Sequence, residues 1–189
     1  MIEGYIFDYG GTIDTAGCHW GIKIWHTYQQ LKLPITEQQY RKAYVYAEQT
    51  LGKTPIIQPN FTFRRTLEEK IKLQFQYLQR QGIIAETGFA FAKNYTNIVE
   101  KIYADTVETT QQSKKELLKL RNKYPLVLVS NFYGNISVVL QEFNLDGIFS
   151  KIIESAVVKI RKPNPRIYQL GIELSLIHIS EPTRRTPIS

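Results

Sequence analysis

An aspartate directly after an apolar segment is the residue best placed to do chemistry in this chain. Residues 2–7 are rich in β-branched and aromatic side chains, and they lead into Asp8 and a turn that contains Gly10 and Gly11. This pattern predicts a buried strand that enters a glycine-rich loop. A carboxylate at the carboxyl end of a strand can attack phosphorus or carbon, and the glycines let the backbone close around the reacting group. The alternative is an ordinary turn, because Asp and Gly are common turn residues.

A second apolar run ends in residues that can hydrogen-bond. Residues 125–129 are followed by Ser130 and Asn131. The run lacks polar alternation, which is typical of a parallel strand that is covered on both faces. A hydroxyl residue at the end of such a strand is a candidate binding group, although strands also often end in Ser-Asn turns.

A lysine before a pair of prolines is the third candidate. Lys162 directly precedes Pro163-Asn-Pro165. The prolines restrict the backbone and predict a helix that begins near Pro165, which places Lys162 on a rigid loop. Lys159 and Arg161 are rival cations, but neither adjoins the proline, and we interpret both as part of a solvated basic face.

The segments around these residues predict an α/β fold. Helical spacing precedes the second strand at residues 113–123 and follows it at residues 136–143. Helix, strand and helix then alternate as in a doubly wound parallel sheet.

Residues 15–107 show helical periodicity and almost no strand signal. Three apolar stripes have helical spacing, namely Tyr40, Ala43, Tyr44 and Ala47, then Leu67, Ile71, Phe75 and Leu78, then Ile98, Val99, Ile102 and Tyr103. So many helices in a row predict an all-helical cap inserted after the first strand, rather than helices that simply layer the sheet. We therefore expect a core of residues 1–14 and 108–173 and a cap of residues 15–107.

The three candidate segments together resemble the haloacid dehalogenase-like hydrolase superfamily. Residues 7–14, Phe-Asp-Tyr-Gly-Gly-Thr-Ile-Asp, resemble its first motif, residues 127–131 its second, and residues 158–168 its third, in the expected order. The resemblance implies a Rossmann-like core with a helical cap. It covers most of the native chain.

The same resemblance assigns roles to individual residues. Asp8 would be the nucleophile, and Lys162 would neutralise it and the charge that develops on the transferring group. The phosphoryl group would be bound by the first loop and by the second motif, at Gly11, Thr12, Ser130 Oγ and the amide hydrogen of Asn131. Thr12 would also fix the angle of the nucleophile.

A magnesium ion is also implied by the resemblance. The Asp8 carboxylate and the backbone carbonyl of Gly10 would hold it, together with acidic residues of a fourth motif.

The chain departs from the family pattern at two points. Phosphatases of the family carry a second aspartate two positions after the nucleophile as general acid and base, and this chain has Gly10 there. General acid catalysis contributes about 10² to 10⁴ in rate, so poor leaving groups should react slowly and acyl phosphates should suffer less. Asp14 lies too far along the loop to take over this role. The second departure is that no fourth motif follows Lys162.

Three functions are consistent with these residues. The first is a magnesium-dependent phosphatase of a small phosphorylated metabolite, which acts through an aspartyl-phosphate at Asp8. The second is a dehalogenase-like hydrolase that works through a carboxylate ester and needs no metal. The third is a non-catalytic binding module on the same scaffold, since a fold does not by itself secure a function.

The start of the cap offers one candidate substrate contact. His19 lies among Cys18, Trp20 and Trp25, and family caps contribute specificity from this side. We expect His26 to be a surface residue.

Composition and termini limit the remaining functions. The 189 residues carry 24 basic and 17 acidic side chains, a formal net charge of +7, without a basic tract. This balance suits an anionic substrate, and we expect no nucleic-acid partner. The aromatic and basic residues 61–65 fit a solvated helix start equally well. One cysteine, the lack of a signal peptide and the lack of a membrane-length apolar run predict a soluble cytoplasmic protein.

The last residues predict a foreign tail. Leu174 to Arg184 resemble the in-frame translation of a transposon-based sequencing adapter. We therefore expect residues 174–189 to be non-native and the core to be truncated there, with the native protein continuing in a different sequence after Glu173.

Overall fold

The computed structural model describes residues 3–84 and 89–179. Three strands form a sheet in the order β1 (Tyr5–Phe7), β2 (Leu126–Ser130) and β3 (Lys151–Glu154), and both strand pairs are parallel. Tyr5 lies opposite Leu126, and Val127 lies opposite Lys151. Parallel neighbours need crossover connections, and helices supply both of them. The predicted α/β class is confirmed.

Helices fill the described part of the chain between β1 and β2. They are α1 (Trp20–Gln30), α2 (Glu37–Lys53), α3 (Phe63–Arg80) and α4 (Phe89–Arg121). Threonine side chains cap the starts of α2 and α3. Thr36 accepts from the backbone N–H of Gln39 in a reciprocal capping box before α2, and Thr62 accepts from the N–H of Arg65 at the start of α3. In the stretch that the sequence assigned to a helical cap, every described element of regular secondary structure is therefore a helix.

The remaining helices are α5 (Ile136–Glu142), α6 (Ser155–Val158) and α7 (Arg166–Ile179). The predicted helix near Pro165 is confirmed, because α7 begins at the next residue. The expected boundary between cap and core, at residues 107 and 108, lies within the continuous helix α4. The division of the chain into those two parts stays a prediction.

The central strand β2 is buried on both faces, as its unbroken apolar run predicts. Leu126 and Leu128 pack into the main core with residues of α1, α3, α4 and α5, whereas Val127 and Val129 pack with Ile153 and with Ile167 of α7. This alternation follows from the two-residue period of a strand. It holds the carboxyl end of β2 between two helical layers.

Helix α7 lies very close to the sheet. A Cβ atom added at Gly171 would lie 3.2 Å from Val129 Cγ2 and 3.3 Å from Val127 Cγ1. A glycine at this position therefore lets the helix backbone approach β2, and the loop that carries Lys162 is anchored on that side. Among the described residues, no helix is both long enough and apolar enough to cross a membrane.

Candidate active site

An ion pair between Asp8 and Lys162 lies at the carboxyl end of the sheet. Asp8 directly follows β1, and Lys162 lies on the loop between α6 and α7. Lys162 Nζ is 2.5 Å from Asp8 Oδ2 and also donates to the carbonyl oxygen of Val129 at 3.2 Å. The Lys162 side chain is 14% exposed and that of Asp8 39%, so the lysine is held while the carboxylate stays accessible.

Asn131 fixes the backbone beside this lysine. Its Oδ1 accepts from the N–H of Lys162 at 2.9 Å, and its Nδ2 donates to the carbonyl oxygen of Lys162 at 3.2 Å. The two bonds join the end of β2 to the loop before α7. Sequence reasoning expected the backbone amide of Asn131 to bind phosphate, and the structure shows that its side chain positions Lys162.

A cleft of about 230 Å³ opens at the ion pair. Six of the eight residues that the sequence proposed for the site line it, namely Asp8, Gly10, Gly11, His19, Asn131 and Lys162. Thr12 is exposed outside its wall. Ser130 is buried at the end of β2, and its Oγ has no hydrogen-bond partner in the part of the chain that the structure describes. The individual roles of the eight residues stay predictions.

His19 lines the cleft and lies directly before α1. Its Nδ1 accepts from the backbone N–H of Gly21 at 3.0 Å, so the imidazole acts as the helix N-cap. Its ring also contacts Tyr44 at a centroid distance of 6.3 Å. These contacts orient the predicted substrate residue. His26 is exposed, as expected.

Asp14 is a buried carboxyl group of the same cleft. Its Oδ1 accepts from the N–H of Gly11 at 2.8 Å, and its Oδ2 accepts from Trp20 Nε1 at 2.9 Å. Burial raises the pKa of Asp14 to about 7, although both hydrogen bonds lower it. The first loop therefore folds back onto Asp14, so this residue lines the cleft although it lies six positions after Asp8 in the sequence.

The cleft is also lined by polar residues that the sequence analysis missed. Glu48 of α2, Lys70 of α3 and Tyr133, which follows β2, line it together with Tyr44. One signal was present: each charged residue directly adjoins an apolar stripe position, Glu48 beside Ala47 and Lys70 beside Ile71. A charge at the margin of a buried helix face indicates a cleft or an ion pair.

The described residues do not complete a magnesium site. They supply the Asp8 carboxylate and the Gly10 carbonyl as oxygen donors at the predicted position, and Asp8 Oδ2 already pairs with Lys162. Among the described residues, no group of three or more His, Cys, Asp or Glu side chains could hold a metal ion. Magnesium takes six ligands and keeps several waters, so this donor set is too small to assign any step to the ion.

A larger groove of about 740 Å³ lies between α1 and α2. It shares His19 and Tyr44 with the cleft, but neither Asp8 nor Lys162 lines it. Its volume does not make it the reactive site, because the groups that can do chemistry lie in the smaller cleft.

A parallel sheet with a paired carboxylate and lysine at its carboxyl edge, covered by helices, defines the class of this protein. The family model described as haloacid dehalogenase-like hydrolase matches residues 2–177, so the chain belongs to this hydrolase family. The family predicted from the three motifs is confirmed. Over 107 aligned residues the chain is 31% identical to the rhythmically expressed gene 2 protein of Drosophila melanogaster. The alignment covers 50% of this chain and 40% of that relative, so it spans less than half of the relative's length.

Proposed function

We propose that this protein hydrolyses small phosphorylated metabolites through an aspartyl-phosphate at Asp8. The observation that carries the proposal is the 2.5 Å ion pair between Asp8 Oδ2 and Lys162 Nζ, which lines the cleft at the carboxyl end of the sheet. A nucleophilic carboxylate and a fixed cation are the two groups that phosphoryl transfer to a protein side chain needs first.

The reaction proceeds in two displacement steps. A carboxylate oxygen of Asp8 attacks phosphorus, the bond from phosphorus to the leaving-group oxygen breaks, and the departing oxygen takes a proton from water. Water then attacks the aspartyl-phosphate, which releases inorganic phosphate and restores the carboxylate. Lys162 stabilises the negative charge on the transferring group in both steps, and Asn131 and the Val129 carbonyl keep its ammonium in place.

The absence of a side chain at Gly10 sets the leaving-group preference. Gly10 lines the cleft beside Asp8, so no carboxyl group at this position protonates the departing oxygen. Acyl phosphates, whose leaving groups are stable anions, should therefore react faster than alkyl phosphates by roughly the 10² to 10⁴ that a general acid contributes. Magnesium dependence is part of the prediction from the family resemblance, and no step above requires the ion.

A substrate panel with one variant tests this proposal. Phosphate release should be measured from acetyl phosphate and from a set of alkyl and sugar phosphates, with the protein as its gene encodes it and with Asp8→Asn. We expect release to fall by about 10³-fold or more in the variant, because the nucleophile is gone while the volume is kept. Circular dichroism should show that the variant is folded.

Three outcomes would overturn the proposal. One is the release of no phosphate from any compound of the panel. Another is turnover of 2-haloacids that survives a chelator, which would favour the carboxylate-ester hydrolase. The third is phosphate-ester affinity without turnover and unchanged in Asp8→Asn, which would identify a binding module.

A further inference from the structure

The side of the cleft that α2 and α3 form, here called the cap side, contains a partly buried ion pair. Lys70 Nζ lies 2.7 Å from Glu48 Oε1, and the two side chains are 12% and 34% exposed. Burial alone would lower the pKa of Lys70, yet Glu48 outweighs it and holds that pKa well above its usual value. Burial would raise the pKa of Glu48, yet Lys70 lowers it below the ordinary range. Both groups therefore carry their charges at neutral pH.

Tyr133 links this pair to the side of the cleft that Asp8, Asn131 and Lys162 form, here called the core side. Its hydroxyl donates to Glu48 Oε2 at 3.2 Å, and Lys70 Nζ lies 5.6 Å from the centroid of its ring. Tyr133 is only two residues beyond Asn131, whose side chain holds Lys162. The cluster of Glu48, Lys70 and Tyr133 is thus fixed from α2, α3 and the loop after β2.

The cluster keeps unused hydrogen-bonding capacity. An ammonium has three donors and a carboxylate about four acceptor positions, more than the contacts within the cluster use. Glu48 Oε1 pairs with Lys70 Nζ at 2.7 Å, and Oε2 accepts from the Tyr133 hydroxyl at 3.2 Å, so each carboxylate oxygen has one contact within the cluster. The remaining acceptor positions of these oxygens favour a partner that can donate to them.

We propose that Glu48, Lys70 and Tyr133 bind the leaving group, and that among phosphate esters of alcohols the protein prefers those whose alcohol carries further hydroxyl groups. This inference rests on the proposed function, which places the phosphate at Asp8 and Lys162 in the same cleft of about 230 Å³. The leaving group of such a substrate occupies the rest of that cleft, where the cluster lies.

The charges of the cluster select hydroxyl groups over other chemistry. A hydroxyl donates to Glu48 and accepts from Lys70 at the same time. A second anion on the leaving group is attracted by Lys70 but repelled by Glu48, so it gains little. An apolar leaving group removes water from both charges without replacing its hydrogen bonds, which is unfavourable.

Pairs of substrates matched in size test the proposal. The values of kcat/KM should be measured for glycerol 1-phosphate against propyl phosphate, and for glucose 6-phosphate against cyclohexylmethyl phosphate. We expect the hydroxylated member of at least one pair to be preferred by about tenfold or more, since one hydrogen bond to a charged group is of that order. The preference should appear mainly in KM, because these contacts are made before the chemical step.

Two variants and one matched control assign this preference to the cluster. Tyr133→Phe keeps the ring and removes the hydroxyl, and Lys70→Met keeps the length of the side chain and removes its charge. We expect each to reduce the preference to within about twofold. Lys72→Met, on the same helix but 56% exposed and outside the cleft, should keep the wild-type preference.

The outcomes separate this inference from the proposed function. Equal activity on both members of each pair, or a preference that persists in both cluster variants, would overturn the inference and leave the phosphatase proposal standing. An equal loss on hydroxylated and plain esters in Tyr133→Phe would also overturn it, since it would show a purely structural link between cap and core. No phosphate release from any ester or acyl phosphate would instead remove the proposed function itself.

Discussion

The two sides of the cleft are built in different ways. On the core side, Asp8, Asn131 and Lys162 each lie at the end of a strand or on a loop before a helix, and hydrogen bonds to backbone atoms hold Asn131 and Lys162. On the cap side, Glu48 and Lys70 come from the middle of two helices and hold each other through their side chains. The core side is therefore set by chain direction and the cap side by a pairing of side chains.

This difference separates chemistry from selection. The carboxyl ends of parallel strands always meet at one edge of a sheet, so groups placed there stay together whatever the rest of the chain does. A pair of helical side chains can be exchanged without disturbing that edge. We therefore expect changes on the core side to alter the rate for every substrate, and changes on the cap side to alter the choice among substrates.

The largest effect should come from removing the cation of the core side. Lys162→Met keeps the length of the side chain but leaves Asp8 without its partner, and we expect kcat for acetyl phosphate to fall by about 10² to 10³. Single-turnover phosphate release would measure this loss. Lys159→Met is the matched control. Lys159 also precedes Pro163 in the sequence, but it is exposed and does not line the cleft. Equal rates in the two variants would show that Lys162 is only a structural partner of Asp8.

A gain of activity should follow when the missing acid is restored. An ideal Cβ at Gly10 would lie 3.9 Å from Trp20 Cδ1 and Nε1, an ordinary contact, and the φ of Gly10 is −68°, so Gly10→Asp causes no backbone strain. We expect kcat for alkyl phosphates to rise by about 10²-fold, because the new carboxyl group can protonate the leaving oxygen. Acetyl phosphate hydrolysis, which needs no acid, is the control reaction. Unchanged alkyl phosphate rates would contradict this role of position ten.

The sequence alone was sufficient to place Asp8 and Lys162 together on the core side, but it was not sufficient to pair Glu48 with Lys70 on the cap side. Asp8 and Lys162 could be found because local signals, a strand end and a proline pair, place them at the same edge of the sheet. The Glu48 and Lys70 pair could not be found, because no local spacing states which faces of α2 and α3 meet.

The fold shows the same limit in two elements. Strand β3 was not predicted, since only Ile152 and Ile153 of its four residues are apolar and its first and last residues are charged. Helix α4 was predicted as two helices, one in the cap and one in the core. Residues 89–121 contain no glycine or proline, so nothing in the local sequence interrupts the helix at residues 107 and 108. The expected change from cap to core predicted a break in the helix at this point, but the segment contains no residue that interrupts a helix.

Asp14 gives the smallest predicted effect and the one that joins the two sides, because it links the first loop to Trp20 at the start of α1. Its pKa in the folded protein is about 7, against 3.8 ordinarily, so between about pH 4 and pH 7 the folded state holds a proton that the unfolded chain has released. Folded-state stability must then decrease as pH rises through this range and level off above pH 7. At roughly 1.4 kcal/mol per pH unit below the folded-state pKa, the free energy of unfolding should fall by about 3 kcal/mol from pH 5 to pH 8. Urea denaturation of the wild type and of Asp14→Asn at both pH values measures this difference. We expect Asp14→Asn to be less stable than the wild type at both pH values and to lack this dependence of the free energy of unfolding on pH. An identical pH dependence in both proteins would show that Asp14 is ionised throughout and that the loop stays closed around a charge.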